Sequence, residues 1–79
     1  MKNKSSSTLS NKIGLKIMLE RQKRKLSQEE LAELANLSRI TIGKLERGVT
    51  SPTIDTLERV AAVFGLTFTE LTDVSKVEL

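Results

Sequence analysis

The chain is expected to be all-α, a compact domain of five short helices. Apolar residues recur at spacings of three and four, and no alternating run is long enough for a strand. Helix-opening signals stand one after another along the chain, and asparagine or glycine follows the apolar stripes where helices must stop. At 79 residues there is room for one domain, which buries about 60% of the surface of its unfolded chain.

The first helix is expected over residues 11–25, capped by Ser10 or Asn11. Ile13 and Ile17, four apart, should face the core, with Leu26 just beyond the helix end. Leu15, Met18 and Leu19 fall off that stripe, so either the helix is wrapped on more than one side or part of it meets a partner chain. Arg21 lies near the stripe, where a charge is costly unless it is paired and hydrogen-bonded. Lys23, Arg24 and Lys25 complement the carbonyl end of the helix dipole, with a weak phosphate contact as a secondary role. Residues 1–10 are polar and rich in Ser and Lys, and read as a flexible arm. Lys2 and Lys4 either touch phosphates from that arm or belong to a plain terminus.

The centre of the chain is residues 27–52. Ser27 and Glu30 fit a capping box that opens the second helix, with Leu31, Leu34 and Ala35 on its apolar side. Asn36 tolerates a left-handed backbone and can end it. Ser38 then caps a third helix, in which Ile42 and Leu45 are the buried stripe and Gly48 is the stop. Helices of about nine residues are marginal alone, so they must pack. A short turn and small Ala32 on the inner face let them cross steeply, as in a helix-turn-helix.

Pro52 is tolerated at or before the first turn of the fourth helix, which Thr53 caps and in which Asp55 suits the positive end. Ile54, Leu57, Val60, Ala61 and Phe64 form its core stripe, and Gly65 closes it. Thr67 and Glu70 make a second capping box for a short fifth helix carrying Phe68 and Leu71.

Gln28, Ala32, Ile42, the run Leu45-Glu46-Arg47-Gly48 and the pair Ser51-Pro52 carry a resemblance to the phage-repressor and Cro-like family of DNA-binding domains, the XRE family. The similarity covers residues 13–72, most of the chain, and implies that the second and third helices form the helix-turn-helix of a repressor-like fold. The organisation expected is an arm over 1–10, the DNA-binding domain over 11–74 and a frayed tail over 75–79. The resemblance also implies that Arg21 pairs with Glu46, joining the first helix to the third, and that Gln28 holds a DNA phosphate.

Composition excludes other classes. With neither Cys nor His there are no disulfides, thiolate chemistry or imidazole bases, and only carboxylates remain as metal ligands, so no cofactor is expected. No paired carboxylates, nucleophile with a base or phosphate-cradling glycine loop can be assembled, so the chain is not expected to be an enzyme. No apolar run approaches a membrane span and the start lacks the apolar segment of a signal peptide, so the cytoplasm is the expected location. Net charge is +3, but residues 1–50 hold eleven Lys or Arg against five Glu, while residues 51–79 hold two against five acids. Such an asymmetry orients a small protein in the field of a polyanion, although a solvated charged surface would account for it equally.

The face of the third helix that the core does not use carries Arg39, Ile40, Gly43, Lys44 and Arg47. Arg39 and Lys44 are expected base readers, with donors suited to the acceptor pair on guanine. Ile40 either meets thymine methyl groups or packs on the second helix, and Gly43 either admits close backbone approach or is a tolerated weak residue. Gln28, Ser38, Arg47 and Thr50 are the expected phosphate contacts that position without reading sequence. So small a module implies a homodimer on a palindromic operator, with Phe68, Leu71 and Val74 as pairing residues unless they are buried in the monomer. The expected function is therefore sequence-specific binding of double-stranded DNA by a transcriptional regulator. The alternative is a protein-interaction module or an antitoxin whose main partner is another protein.

Overall fold

A computed structural model describes residues 5–77, with side chains from residue 9 onward. The elements are α1 (Ser5–Lys23), α2 (Gln28–Ala35), α3 (Arg39–Arg47), α4 (Ile54–Phe64) and α5 (Phe68–Thr72), with no strand among the described residues. Each of the last four opens on a Ser or Thr in extended backbone whose hydroxyl accepts the amide three residues on. Ser27 with Glu30 and Thr67 with Glu70 complete reciprocal capping boxes, satisfying amides that the first turn leaves without partners.

The first four helices also stop alike, on one left-handed residue followed by an apolar one. Asn36, Gly48 and Gly65 hold φ of 59°, 70° and 71°, and the amides of Leu37, Val49 and Leu66 reach back to Ala32, Lys44 and Ala61. The fourth such residue is Lys25, with φ of 59°, and Leu26 behind it bonds to Arg21. α1 therefore ends at Lys23, two residues short of the expected end, because the chain reverses at Lys25.

At its other end α1 starts at Ser5, so residues 5–10, expected in the arm, are helical. No Pro or Gly interrupts residues 5–13. Extending a helix already anchored by Ile13 and Ile17 costs far less than starting one, and serine is only moderately unfavourable there. Lys2 and Lys4 lie outside the described residues, as do 78–79 of the expected tail. Residues 73–77 turn back instead of fraying: Ser75 donates through its amide and hydroxyl to Asp73 Oδ1, and the Val77 amide bonds to Val74. Lys16 Nζ from α1 donates to the carbonyls of Glu70 and Asp73 at 3.1 and 3.4 Å, closing the exit of α5.

A single core gathers Ile17, Leu31, Ala32, Ala35, Ile42, Leu45, Leu57, Val60, Ala61, Phe64 and Leu71. α1 packs on α3, α5 and α4 together, which is why Leu15 and Met18 are half-buried within the one chain while Leu9 and Leu19 stay exposed. Two expected core residues fall outside. Leu34 stands 60° from Leu31 on the side away from Ala32 and Ala35, and is 61% exposed. Ile54 opens α4 a full turn before the first buried residue, Leu57, and is 64% exposed.

Candidate nucleic-acid interface

α2 and α3 meet through Ala32, which is 3% exposed and too small to hold the helices apart. Ile42 and Leu45 turn α3's inner side into the core, and this leaves Arg39, Ile40, Lys44 and Arg47 exposed on its outer side. Ile40, 64% exposed, does not pack on α2. Gly43 lies toward the edge of that outer side and is buried, and the one side-chain atom near the place a Cβ would take there is Arg47 Nη1, at 3.1 Å.

The residues expected to frame this face lie at its two ends. Ser38 stands where α3 begins, where its hydroxyl accepts the Thr41 amide at 3.0 Å and shares a hydrogen bond with the Thr41 hydroxyl. Thr50 lies past the other end in a cleft of about 400 Å³, with Ser10, Asn11, Arg47, Gly48, Val49 and Ser51. Gln28, first residue of α2, donates through Nε2 to Glu46 Oε1 at 2.9 Å. Because a carboxylate only accepts, this contact fixes which way the Gln28 amide is turned, and one N–H on Nε2 is left for a second acceptor.

Glu46 is shared. Arg21 donates Nε to its Oε2 at 2.6 Å and Nη2 to its Oε1 at 3.1 Å, while Nη1 reaches the Leu26 carbonyl at 2.7 Å. Both side chains are largely buried, and Glu46 beside it raises the Arg21 pKa above the ordinary arginine value. The pair implied by the resemblance is thus a triad that also takes in Gln28. It ties α1, the entrance of α2 and the end of α3 to one carboxylate.

Three residues that hold the site were not singled out in the sequence for the work they do. Gly14 lies where α1 crosses the end of α3: a Cβ there would run into the Leu45 carbonyl and come within 2.7 Å of the Glu46 carbonyl. A lone glycine inside a helix, between Ile13 and Leu15, was the available signal. Asn11 closes over Gly48, where a Cβ would sit 2.8 Å from the Asn11 Cα. Arg24 meets the carbonyl end of α1 as expected, Nη1 donating to the Glu20 carbonyl at 2.8 Å, but it also donates to Glu20 Oε1 at 2.6 Å and to the Phe64 carbonyl at 2.8 Å, with its guanidinium 4.7 Å above the Phe64 ring. Among the expected pairing residues Leu71 is fully buried in the chain's own core and is withdrawn from any pairing surface, whereas Phe68 and Val74 are half-buried.

A pair of short helices packed together across a tight turn, the second with an open, cationic outer side, defines a helix-turn-helix domain of the DNA-binding class. The chain belongs to the helix-turn-helix family of phage-repressor and Cro-like (XRE) proteins, whose family model matches residues 17–71. It is 44% identical over 54 residues to the immunity repressor protein of Bacillus phage phi105, an alignment covering 68% of this chain and 38% of the phage protein. Among solved structures it is similar to the restriction-modification controller protein C.AhdI from Aeromonas hydrophila, with a TM-score of 0.76, 31% identity, and 78% and 94% of the two chains covered. It is also similar to a chain of a SinR protein/SinI protein complex, with a TM-score of 0.79, 34% identity, and 85% and 66% coverage. These relatives place the chain with transcription regulators rather than enzymes. The chain spans 38% of the phage repressor's length. No helix among the described residues is long and apolar enough to cross a membrane.

Proposed function

We propose that the chain is the DNA-reading part of a repressor or controller that binds a palindromic operator as a homodimer, in the cytoplasm. The observation that carries this reading is the uncovered outer side of α3, with Arg39, Ile40 and Lys44 exposed while Ile42 and Leu45 anchor the opposite side. A helix of this width fits the major groove, where arginine and lysine match the guanine acceptors and an apolar side chain matches a thymine methyl group. Gln28, Ser38 and Thr50 frame the readers on phosphates, Gln28 through its remaining N–H at the positive end of α2. Pairing through α5 and the turn after it uses Phe68 and Val74. In such a dimer the recognition helices stand about 34 Å apart, one turn of DNA.

Selection of duplexes from a random pool tests the assignment. Arg39→Ala is expected to lose preference at one or two base pairs of each half-site, and Gln28→Ala to weaken binding to all duplexes alike. An unchanged consensus in Arg39→Ala would refute the role given to Arg39. A second reading, docking of a protein partner such as a toxin, draws on the exposed Leu34 beside Ala35, Arg59, Ala62 and Val63, in a cleft of about 390 Å³ between α2 and α4.

A further inference from the structure

We infer that Gly43 is a seat for the guanidinium of Arg47, and that Arg47 reads a base edge instead of meeting a phosphate. The inference rests on the reading of α3 as the helix that enters the groove. At 100° per residue, Arg47 and Ile40 stand about 20° apart on the side of α3 opposite Ile42 and Leu45, so they form the midline of the outer face. Arg47 is the last residue of the helix, and its Cα alone would leave it at the rim of a groove. Its side chain turns back toward the start of the helix, as helical side chains do, and puts Nη1 3.1 Å from the place a Cβ of Gly43 would take, one turn earlier.

Gly43 is consequently buried on a face where its neighbours Ile40 and Lys44 are exposed. A Cβ there would press on the guanidinium and a longer side chain would compete for its place, which gives the unfavourable helix propensity of glycine a local reason. Arg47 takes part in none of the ion pairs among the described residues, and its donors remain for a ligand. Seated over Gly43, a planar fork loses less freedom on meeting the two acceptors of a guanine than one extended into solvent. A phosphate contact, by contrast, would ask only for charge at the rim and would give no reason for a glycine beneath it.

Two measurements decide this. In the free protein, nuclear Overhauser contacts are expected between the Gly43 Hα protons and the Arg47 side chain, and their absence would remove the seat. Random-duplex selection is then run on the wild type and Arg47→Ala, the latter checked for folding by circular dichroism. The expected result is a wild-type consensus containing a guanine in each half-site whose preference, roughly tenfold or more, is flattened in Arg47→Ala while the other positions stay as they were. A uniformly weaker Arg47→Ala with every consensus position intact would return Arg47 to a phosphate and overturn the inference, leaving the regulator reading in place. A wild type that selects no consensus would remove both.

Discussion

At the residue scale, close approach and shared charge hold the site together alongside apolar burial. Gly14 gives α1 its crossing over the carbonyls at the end of α3, and those carbonyls belong to backbone that cannot swing aside. Gly14→Ala is therefore expected to lower unfolding free energy by about 1–3 kcal/mol despite alanine's better helix propensity, as overpacking of a tight contact does. Denaturant unfolding of the two proteins checks this, and an equally stable or more stable variant would show that the crossing has slack. The clasp between Glu20, Arg24 and Phe64 joins the ends of α1 and α4. The Arg24 hydrogen bond holds the Glu20 carboxyl below its ordinary pKa, against the opposing effect of burial. A lowered carboxylate pKa contributes stability that is present above the unfolded value, near pH 4.3, and is lost as pH falls through the folded one. Wild type is expected to exceed Glu20→Gln by roughly 0.5–1 kcal/mol at pH 7, with the difference closing below about pH 4. Thermal melts across that range give the comparison, and a gap independent of pH would mean that the charge on Glu20 is not what matters.

At the element scale, the starts of the last four helices were the most legible part of the sequence, whereas α1 begins at Ser5, ahead of its expected cap. Ser27, Ser38, Thr53 and Thr67 stand where the reading put them, because a hydroxyl that accepts the amide three residues on is a local device that needs no tertiary context. Stops were legible where asparagine or glycine marked them, and missed at Lys25, whose left-handed backbone is imposed by Leu26 reaching the core. A lysine in that conformation carries strain that glycine would not. Lys25→Gly is accordingly expected to raise stability by about 0.5–1 kcal/mol, the left-handed penalty less the added freedom of the unfolded chain. A variant less stable than wild type by urea unfolding would contradict this account of the turn. Periodicity placed Leu31, Ile42, Leu45 and Val60 correctly but also enrolled Leu34 and Ile54, because a spacing of three or four is satisfied on either edge of a stripe and only packing decides which edge is covered. Of the site, the outer residues of α3 followed from its period. The Arg24 clasp, the Gly14 crossing and Gln28 on Glu46 did not, since each joins residues distant in sequence.

At the scale of the whole molecule, the excess of cations lies in the part of the chain that holds α1 to α3, and the acidic excess in the part that holds α4 and α5. A polyanion would thus attract the part of the chain that holds the helix-turn-helix more than the part that follows it. In the proposed dimer, pairing would matter energetically, because one module of this kind buries only about 600–1,000 Å² of its surface on DNA. The core fixes α3 from behind through Ile42 and Leu45, while Arg21 and Glu46 fix its end, so its outer side is presented by a braced element and needs no rearrangement to dock. The most direct measurement is nuclear magnetic resonance of the protein bound to a duplex recovered by selection. The expected result is intermolecular Overhauser contacts from the Ile40 methyl groups to thymine methyl groups or other major-groove protons, with the largest amide shifts at Arg39, Ile40 and Lys44. The contrary result is an α3 whose resonances stay unmoved while those around Leu34 and Arg59, or around Phe68 and Val74, carry the change.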